Sequence, residues 1–545
     1  MVFHKDLSLY RAYENAAQIV GNETAIFFFD TKISFSKLSH YIEKWASILQ
    51  NDFNIQKGDS VLISLPNIPQ TIILFYAVNK IGGVCNMVHP YTPKEGIQKY
   101  YDESGCKVAF LLDRSVYREL KQYKSFNGNI VICDVHTYFH KYQKWLYDFG
   151  NTGMRNALKY NTKFMFYRDF KENENPSIEV PLSDEDVAVL LHSASTTGIA
   201  KTIKLSARSF NFTASKVPEI MCMGEEEFIG KAMISVLPSF HGFGLCMTMH
   251  APLVNRFGVI LIPKYSPAAV VQMMKKTKCA IALCGVPSVF RTLLNEPSFN
   301  SDKRFVKMLR SCFCGGDSLP SNIKEHFDTL MVKRKSPCRL YEGYGLTEAL
   351  SVCAVNTQRR HKLGSVGYPV SGIEFKIFDD NNNELPPNTI GEIAIKSDNN
   401  MLGYYNNDEA TKETYFGDYL KTGDMGYIDE DGFVFYTSRK KRVIKVSGIA
   451  VFPHEIEDVI SHIPGVKGVC AIQIPNENTG HAVKVFVKSN FRDANIIMEE
   501  CRKHLISWSL PREIEFVNNL PMTKYHKVNF VKLQQMENER RGISS

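Results

Sequence analysis

The sequence predicts an α/β protein: layered, largely parallel sheets come first, then a β-rich segment, then a small α+β unit at the C-terminal end. Three observations carry this reading. Strand-like apolar runs alternate with stretches of helical periodicity up to about residue 370, the pattern of sheets covered by helices. From about Glu374 short strands follow one another through Asp-, Asn- and Gly-rich turns. Beyond Pro453, helix and strand signals mix over the remaining residues. At 545 residues the chain is roughly three to four times a typical domain, so more than one core is expected.

Taken in order, Ser60–Leu65 reads as a strand and Pro69–Lys80 as a helix, with proline suited to the first helical turn. Val187–His192 and Ile281–Cys284 are short apolar runs consistent with buried strands. The stretch His136–Lys171, rich in Tyr, Phe, Asn and Lys, has weaker periodicity and reads as a surface excursion. Glu374–Phe378, Glu392–Lys396 and Phe433–Thr437 are strands separated by the turns Asp379–Asn383 and Asp429–Gly432. A basic run, Ser438–Lys445, precedes a helix opened by Pro453 with Ile456, Val459, Ile460 and Ile463 on one face. Val469–Ile474 and Val483–Val487 are strands and Asn495–Ile506 a helix.

Hydrophobic residues at 44% and charged residues at 22% exclude a disordered, collagen-like or coiled-coil chain. A net charge of +8 suits an anionic substrate but is too dilute to argue for nucleic acid. Thirteen cysteines without a CxxC read as reduced, buried thiols rather than a disulfide frame or zinc site. The first residues carry no apolar signal region, and runs such as Thr71–Val78 and Val259–Ile262 are too short to span a bilayer. A cytoplasmic protein with no integral membrane segment is expected.

The segment Leu191–Ile203 places successive hydroxyls, a glycine and Lys201 on one turn between two strands. Backbone N–H groups, hydroxyls and a lysine suit a polyphosphate, although a Ser/Thr-rich surface loop would look similar. A P-loop is excluded because Ala200 precedes Lys201. A dinucleotide fingerprint is excluded because Gly242-Phe-Gly244 reaches Met247, and Gly343-Tyr-Gly345 reaches Glu348, where glycine is required.

Further motifs follow in a fixed order: Leu237–Gly244 (LPSFHGFG), Cys314–Leu319 (CGGDSL), Glu342–Ala349 (EGYGLTEA), Gly391–Ile393 and Lys421–Asp424 (KTGD). Arg439, Ile444–Gly448 (IKVSG), Val451–Glu457 (VFPHEIE) and Leu520–Lys527 (LPMTKYHK) complete the series. With His192–Thr202 at its head, this set resembles the adenylate-forming superfamily of acyl-CoA synthetases, luciferase-like enzymes and peptide-synthetase adenylation domains. The resemblance implies a large N-terminal domain, residues 1–438, and a small mobile C-terminal domain, residues 439–545, with a hinge near Lys441.

A carboxylate is a poor acyl donor. Transfer to the α-phosphate of ATP creates a mixed anhydride with AMP as the leaving group, and the site must supply positive charge where anion meets polyanion. The resemblance assigns Thr196, Thr197, Gly198 and Lys201 to the β- and γ-phosphates. It assigns Gly316, Asp317 and Tyr344 to the adenine, Thr347 to the α-phosphate, Glu348 to Mg²⁺, and Asp424 with Arg439 to the ribose. Lys527 would bridge carboxylate and α-phosphate, while Lys441, Lys445 and Gly448 would belong to the hinge and thiol channel.

Several positions depart from the pattern. Ala194, Ser195, Ala200 and Thr202 stand where the family usually has Ser, Gly, Pro and Gly, and Met522 and His526 replace Lys and Gly. Ser195 adopts positive φ less cheaply than glycine. Lys527 rather than Lys524 resembles the family's catalytic lysine, because it lies seven residues after Leu520, as in the family's L-P-K-T-x-x-G-K. Phe240-His241 occupies the place of the Phe-Asp that binds a substrate ammonium in amino-acid-activating relatives, which disfavours an α-amino acid. His241 instead resembles the histidine beside the carboxylate and thiol channel, or it is a hydrogen-bonded structural histidine. Phe243, Leu245, Met247, Met249 and Leu253 could line an acyl tunnel or belong to the core. The leading expectation is ATP-dependent activation of a fatty acid through acyl-AMP, followed by thioester formation with CoA. The alternatives are an acyl-AMP ligase that loads a carrier protein and a non-catalytic acyl-adenylate binder.

Overall fold

The computed structural model describes residues 7–160, 163–193, 201–301, 306–447, 449–476, 479–522 and 528–542. Two large sheets and a smaller one form the body of the molecule. The first has nine strands, with 340–344, 311–314, 280–285, 232–235, 258–261 and 24–28 running parallel and short antiparallel strands at both edges. The second has eight strands, parallel from 187–192 through 84–87, 60–64, 108–112 and 129–133 to 164–166. Strands 202–206 and 403–404 close its other edge antiparallel.

The helix Pro69–Lys80 forms at its predicted bounds, and all twelve of its residues are buried. Its sequence is apolar around most of its circumference, as a helix enclosed on every side requires. The predicted strands Val187–His192 and Glu374–Phe378 also form at their expected bounds. The β-rich region is a five-stranded sheet of 374–378, 391–396, 419–428, 415–416 and 434–439.

The stretch from His136 is better organised than its periodicity predicts. It contains two helices, Lys141–Gly150 and Thr152–Lys159, and a strand, Phe164–Phe166, that pairs parallel with 129–133. Exposed aromatic side chains on the first helix blur the apolar period there, and a three-residue strand is too short to show one.

Residues beyond 443 build a separate core. Ile456, Ile460 and Ile463 of the helix Pro453–Ser461 and its exit pack against Val483, Val485 and Val487, with Val459 partly buried beside them. All thirteen cysteines are free and eleven are buried. Among the described residues, no helix is long and apolar enough to cross a membrane.

Candidate active site

The strand Leu340–Tyr344 delivers the Glu342–Ala349 motif to the edge of the first sheet. Immediately after it the chain doubles back: Thr347–Ala349 form a short 3₁₀ turn, and Leu350 and Ser351 follow with φ of +32° and +81°. Left-handed backbone at non-glycine residues is costly and clusters where function requires it. Ser351 N–H donates to the Leu346 carbonyl at 3.0 Å, so the return strand lies hard against Gly345. A Cβ on Gly345 would stand 1.3 Å from the Ser351 carbonyl oxygen, which only glycine avoids. This reversal places Thr347 and Glu348 at the apex.

The Cys314–Leu319 motif lies alongside, in register with that strand through Cys314 and Glu342. Leu319 N–H donates to Glu342 Oε1 at 3.2 Å, which tethers the exposed Gly316 and Asp317. Burial raises the Glu342 carboxyl to about 7, with the Asp458 charge of the small domain adding to the rise. A carboxyl raised in the folded state loses its contribution as pH climbs from its unfolded value near 4.5 through 7. Glu342→Gln should therefore match the wild type near pH 4.5 and exceed its stability above pH 7, by on the order of 1–3 kcal/mol. Thermal melts across pH 4.5–8 measure this, and a constant gap at every pH would refute it.

Asp424 is the electrostatic centre of the site. It is 2% exposed and pairs in register with Arg439 on the neighbouring strand. Tyr344 Oη donates to Asp424 Oδ2 at 2.7 Å, and Arg439 Nε lies 3.1 Å from Oδ1. Burial pushes the Asp424 carboxyl above its ordinary range, and Arg439 and Tyr344 offset part of that rise. Oδ1 is charge-compensated by Arg439 but receives no well-directed hydrogen bond. Oδ1 therefore keeps unused acceptor capacity.

Glu348 sits at the other end of the apex. Tyr404 Oη donates to Glu348 Oε1 at 3.1 Å, and the Tyr404 ring lies 4.2 Å below the exposed Lys201 ammonium. The strand Gly403–Tyr404 is hydrogen-bonded to the strand that begins at Thr202, and Met401 N–H donates to the Glu348 carbonyl at 2.7 Å. Sequence reasoning missed Tyr404. The signal available was the Gly403-Tyr404-Tyr405 run between two assigned motifs, which gains meaning only when the strands pair. Tyr404→Phe keeps the ring under Lys201 and removes the donor to Glu348. It should lower kcat/KM for ATP about tenfold, the order expected for one hydrogen bond to a charged group. Unchanged ATP kinetics would refute a role for the hydroxyl.

The ends of the Ser- and Thr-rich segment Leu191–Ile203 are fixed. Ser193 N–H donates to the Lys201 carbonyl at 2.9 Å, and the departure Thr202 is used, its hydroxyl 3.0 Å from His192 Nδ1. Thr196, Thr197 and Gly198, with the departures Ala194, Ser195 and Ala200, lie outside the described residues.

The Leu237–Gly244 motif is stitched between the two large sheets by Asn67, a second residue the sequence did not announce. Its side chain donates to the Leu237 carbonyl at 2.9 Å and accepts from Ser239 N–H at 3.1 Å. A Cβ on Gly244 would meet the Pro238 carbonyl oxygen at 2.1 Å. The half-buried His241 follows Phe240, whose ring packs 4.5 Å from that of His89. Gly242 abuts Leu350, which brings His241 to the back of the Thr347–Glu348 apex. Leu245, Met247, Met249 and Leu253 are buried in the central core and Phe243 only partly so.

The junction between the two bodies is sharply framed. Lys440 pairs with Asp380 and Glu392 of the β-rich sheet, each at 2.9 Å. Arg442 pairs with Glu457 of the small body at 2.6 Å and donates to the Ala471 carbonyl. Lys441 is the one residue between these anchors. Lys445 is exposed on the strand Ile444–Val446; the Asp380 carboxyl is held low chiefly by its bond to Lys440, with the Lys445 charge adding to it. Gly448, Lys524, His526 and Lys527 lie outside the described residues; Met522 and Val528, which flank the last three, form a bridge. Among the described residues no cluster of three or more His, Cys, Asp or Glu could hold a metal ion.

The family model for AMP-binding enzymes matches residues 13–405, and that for the AMP-binding enzyme C-terminal domain matches residues 455–527. The chain belongs to this family and is an adenylate-forming acid–thiol ligase. It is 30% identical over 546 residues to a long-chain-fatty-acid–CoA ligase of Salmonella typhimurium, covering 96% of this chain and 93% of that protein. It is 28% identical over 540 residues to a long-chain-fatty-acid–CoA ligase of Bacillus subtilis, with the same coverage. The fold is similar to that of an anthranilate CoA ligase in complex with anthranoyl-AMP (TM-score 0.82, 19% identity, 99% of each chain). It is equally similar to ATP-bound MatB from Rhodopseudomonas palustris (TM-score 0.82, 21% identity, 98% of this chain and 100% of that one).

Proposed function

We propose that this enzyme is a cytoplasmic fatty acid–CoA ligase. The observation that supports the nucleotide half is the Tyr344–Asp424–Arg439 node, a buried, charge-compensated carboxylate with an oxygen left to accept, which this reading gives to the ribose hydroxyls. The fatty-acid half is supported by relatives that align over 96% of the chain and by a histidine, His241, where a substrate ammonium would need an acid.

In this reading Gly316, Asp317 and Tyr344 frame the adenine, while Thr196, Thr197, Gly198 and Lys201 receive the β- and γ-phosphates. Thr347 holds the α-phosphate. Glu348 is a single carboxylate, which suits Mg²⁺, an ion that keeps much of its shell as water and phosphate oxygens; bound there it would offset phosphate charge. A carboxylate oxygen of the acid attacks the α-phosphorus, and the bond to pyrophosphate breaks with its electron pair leaving on pyrophosphate. Lys527, from the small domain, neutralises the charge between the two anions. The CoA thiolate then attacks the acyl carbon beside His241, entering past Lys445 and Gly448, and the acyl–oxygen bond to AMP breaks. Residues 1–438 and 439–545 act as the two domains, with rotation about Lys441 between the steps.

A pyrophosphate-release assay over a panel of acids, with and without CoA, tests this. Release that depends on a long-chain acid, with formation of the acyl-CoA, is the expected result. Acid-dependent release without thioester formation on CoA would point to a carrier-protein acceptor. Release driven best by an aryl acid would overturn the substrate class.

A further inference from the structure

The helix Lys141–Gly150 leaves three large aromatic side chains in solvent: Tyr142 is 66% exposed, Trp145 62% and Phe149 77%. At about 100° per residue they fall within an arc of about 60°, a single narrow face. The Trp145 and Phe149 rings stack at 6.1 Å, making a continuous apolar plate. The other side of the helix is fastened to the body. Tyr147 stacks on the buried His136 ring at 4.7 Å and accepts from Arg114 Nε at 3.2 Å. Asp148 pairs with His136 and Arg155, and Gln143 donates to Asp30. So the orientation of the helix is set from within, and the aromatic face is what remains outward.

Soluble proteins seldom leave such a plate uncovered without an occupant. The surroundings specify its chemistry. Residues 135–163 contain five lysines or arginines against one aspartate, and Lys141 is exposed just beside the aromatic arc. Tryptophan and tyrosine rings are favoured at the boundary between acyl chains and headgroups, and flanking lysines favour anionic lipid. The helix is far too short to span a bilayer, which leaves an in-plane, surface-bound mode.

Its place in the fold is also suggestive. The helix follows strand 129–133, which runs parallel to 108–112, 60–64 and 84–87. It therefore lies off the same carboxyl edge of the sheet from which Leu65 and His89 contact Ser239 and Phe240, next to His241.

We infer that the aromatic face of Lys141–Gly150 is a docking surface for an anionic lipid bilayer, which seats the protein with the His241 edge of its second sheet toward the membrane. The inference stands whatever acid the enzyme prefers.

The test uses the full-length protein with phosphatidylcholine vesicles, with and without phosphatidylglycerol. Expected are sedimentation with the anionic vesicles and quenching of tryptophan emission by brominated acyl chains. The chain has three tryptophans, of which Trp45 is buried and Trp508 half exposed on the small domain. Trp145→Phe should abolish the quenching and Trp508→Phe should preserve it. Lys141→Gln should weaken binding about fivefold, the value of one charge near an anionic surface. Combined Tyr142→Ser, Trp145→Ser and Phe149→Ser should reduce binding by more than about tenfold with an unchanged melting temperature. If that variant does not fold, the quenching comparison decides alone. Quenching that survives Trp145→Phe, equal binding by the serine variant, or no vesicle binding by the wild type would overturn the inference; the last outcome would leave the face to a protein partner.

Discussion

Lys527→Ala is expected to slow acyl-adenylate formation by about 10²–10³-fold, the cost of removing one preorganised positive donor from a developing anion. The carboxylate and the α-phosphate repel each other until they react, and Arg439 is already committed to Asp424. Lys201 lies over Tyr404, at the exit of the loop that would hold the outer phosphates. In the proposed mechanism the charge at the reacting atoms comes from Lys527 of the small domain. Thioester formation from pre-made acyl-AMP does not bring two anions together, so it should suffer much less. Single-turnover measurements of each half-reaction separate the two. Equal losses in both, or a larger adenylation loss from Lys524→Ala, would refute the assignment.

Lys441→Pro should suppress acyl transfer to the thiol by about a hundredfold while leaving acid-dependent pyrophosphate release largely intact. In the proposed mechanism the two steps use different faces of the small domain, Lys527 in the first and the segment around Gly448 in the second. One body cannot present both at once, so it must turn. The ion pairs mark where. Lys440 is held to Asp380 and Glu392 on one side, and Arg442 to Glu457 and the Ala471 carbonyl on the other. Rotation that keeps both anchors must be taken up in the backbone between them, at Lys441. Proline fixes φ near −65° and restrains the preceding residue, which removes the change of backbone dihedral that such a rotation needs. Lys441→Ala keeps backbone freedom and should be mild. Unimpaired thioester formation by folded Lys441→Pro protein would exclude a pivot at this residue.

Much of this was legible from local pattern. Pro69–Lys80 declares itself because a proline start and near-continuous apolarity permit little other than an enclosed helix. The Pro453 helix shows its buried face through the spacing of Ile456, Ile460 and Ile463. The segment Lys141–Gly150 hid for the opposite reason: its aromatic residues face solvent, and periodicity methods assume that they do not.

The site divides in the same way. Order and spacing of short motifs determined the family, and with it the expected places of Lys201, Tyr344, Glu348, Asp424 and Arg439, because chemistry on ATP demands those side-chain types. Tertiary structure alone decided how they are held. Tyr404 stands between Glu348 and Lys201 because a two-residue strand pairs with the strand that begins at Thr202. Asn67 positions the His241 motif from across a sheet boundary, 170 residues away in the chain. Gly345 is obligatory because of a carbonyl six residues later that folds back onto it. Each of these depends on a contact between segments distant along the chain or on a reversal of the backbone. Local sequence carries the side chain that such a contact needs, but the distance between partners is set only when the sheets assemble.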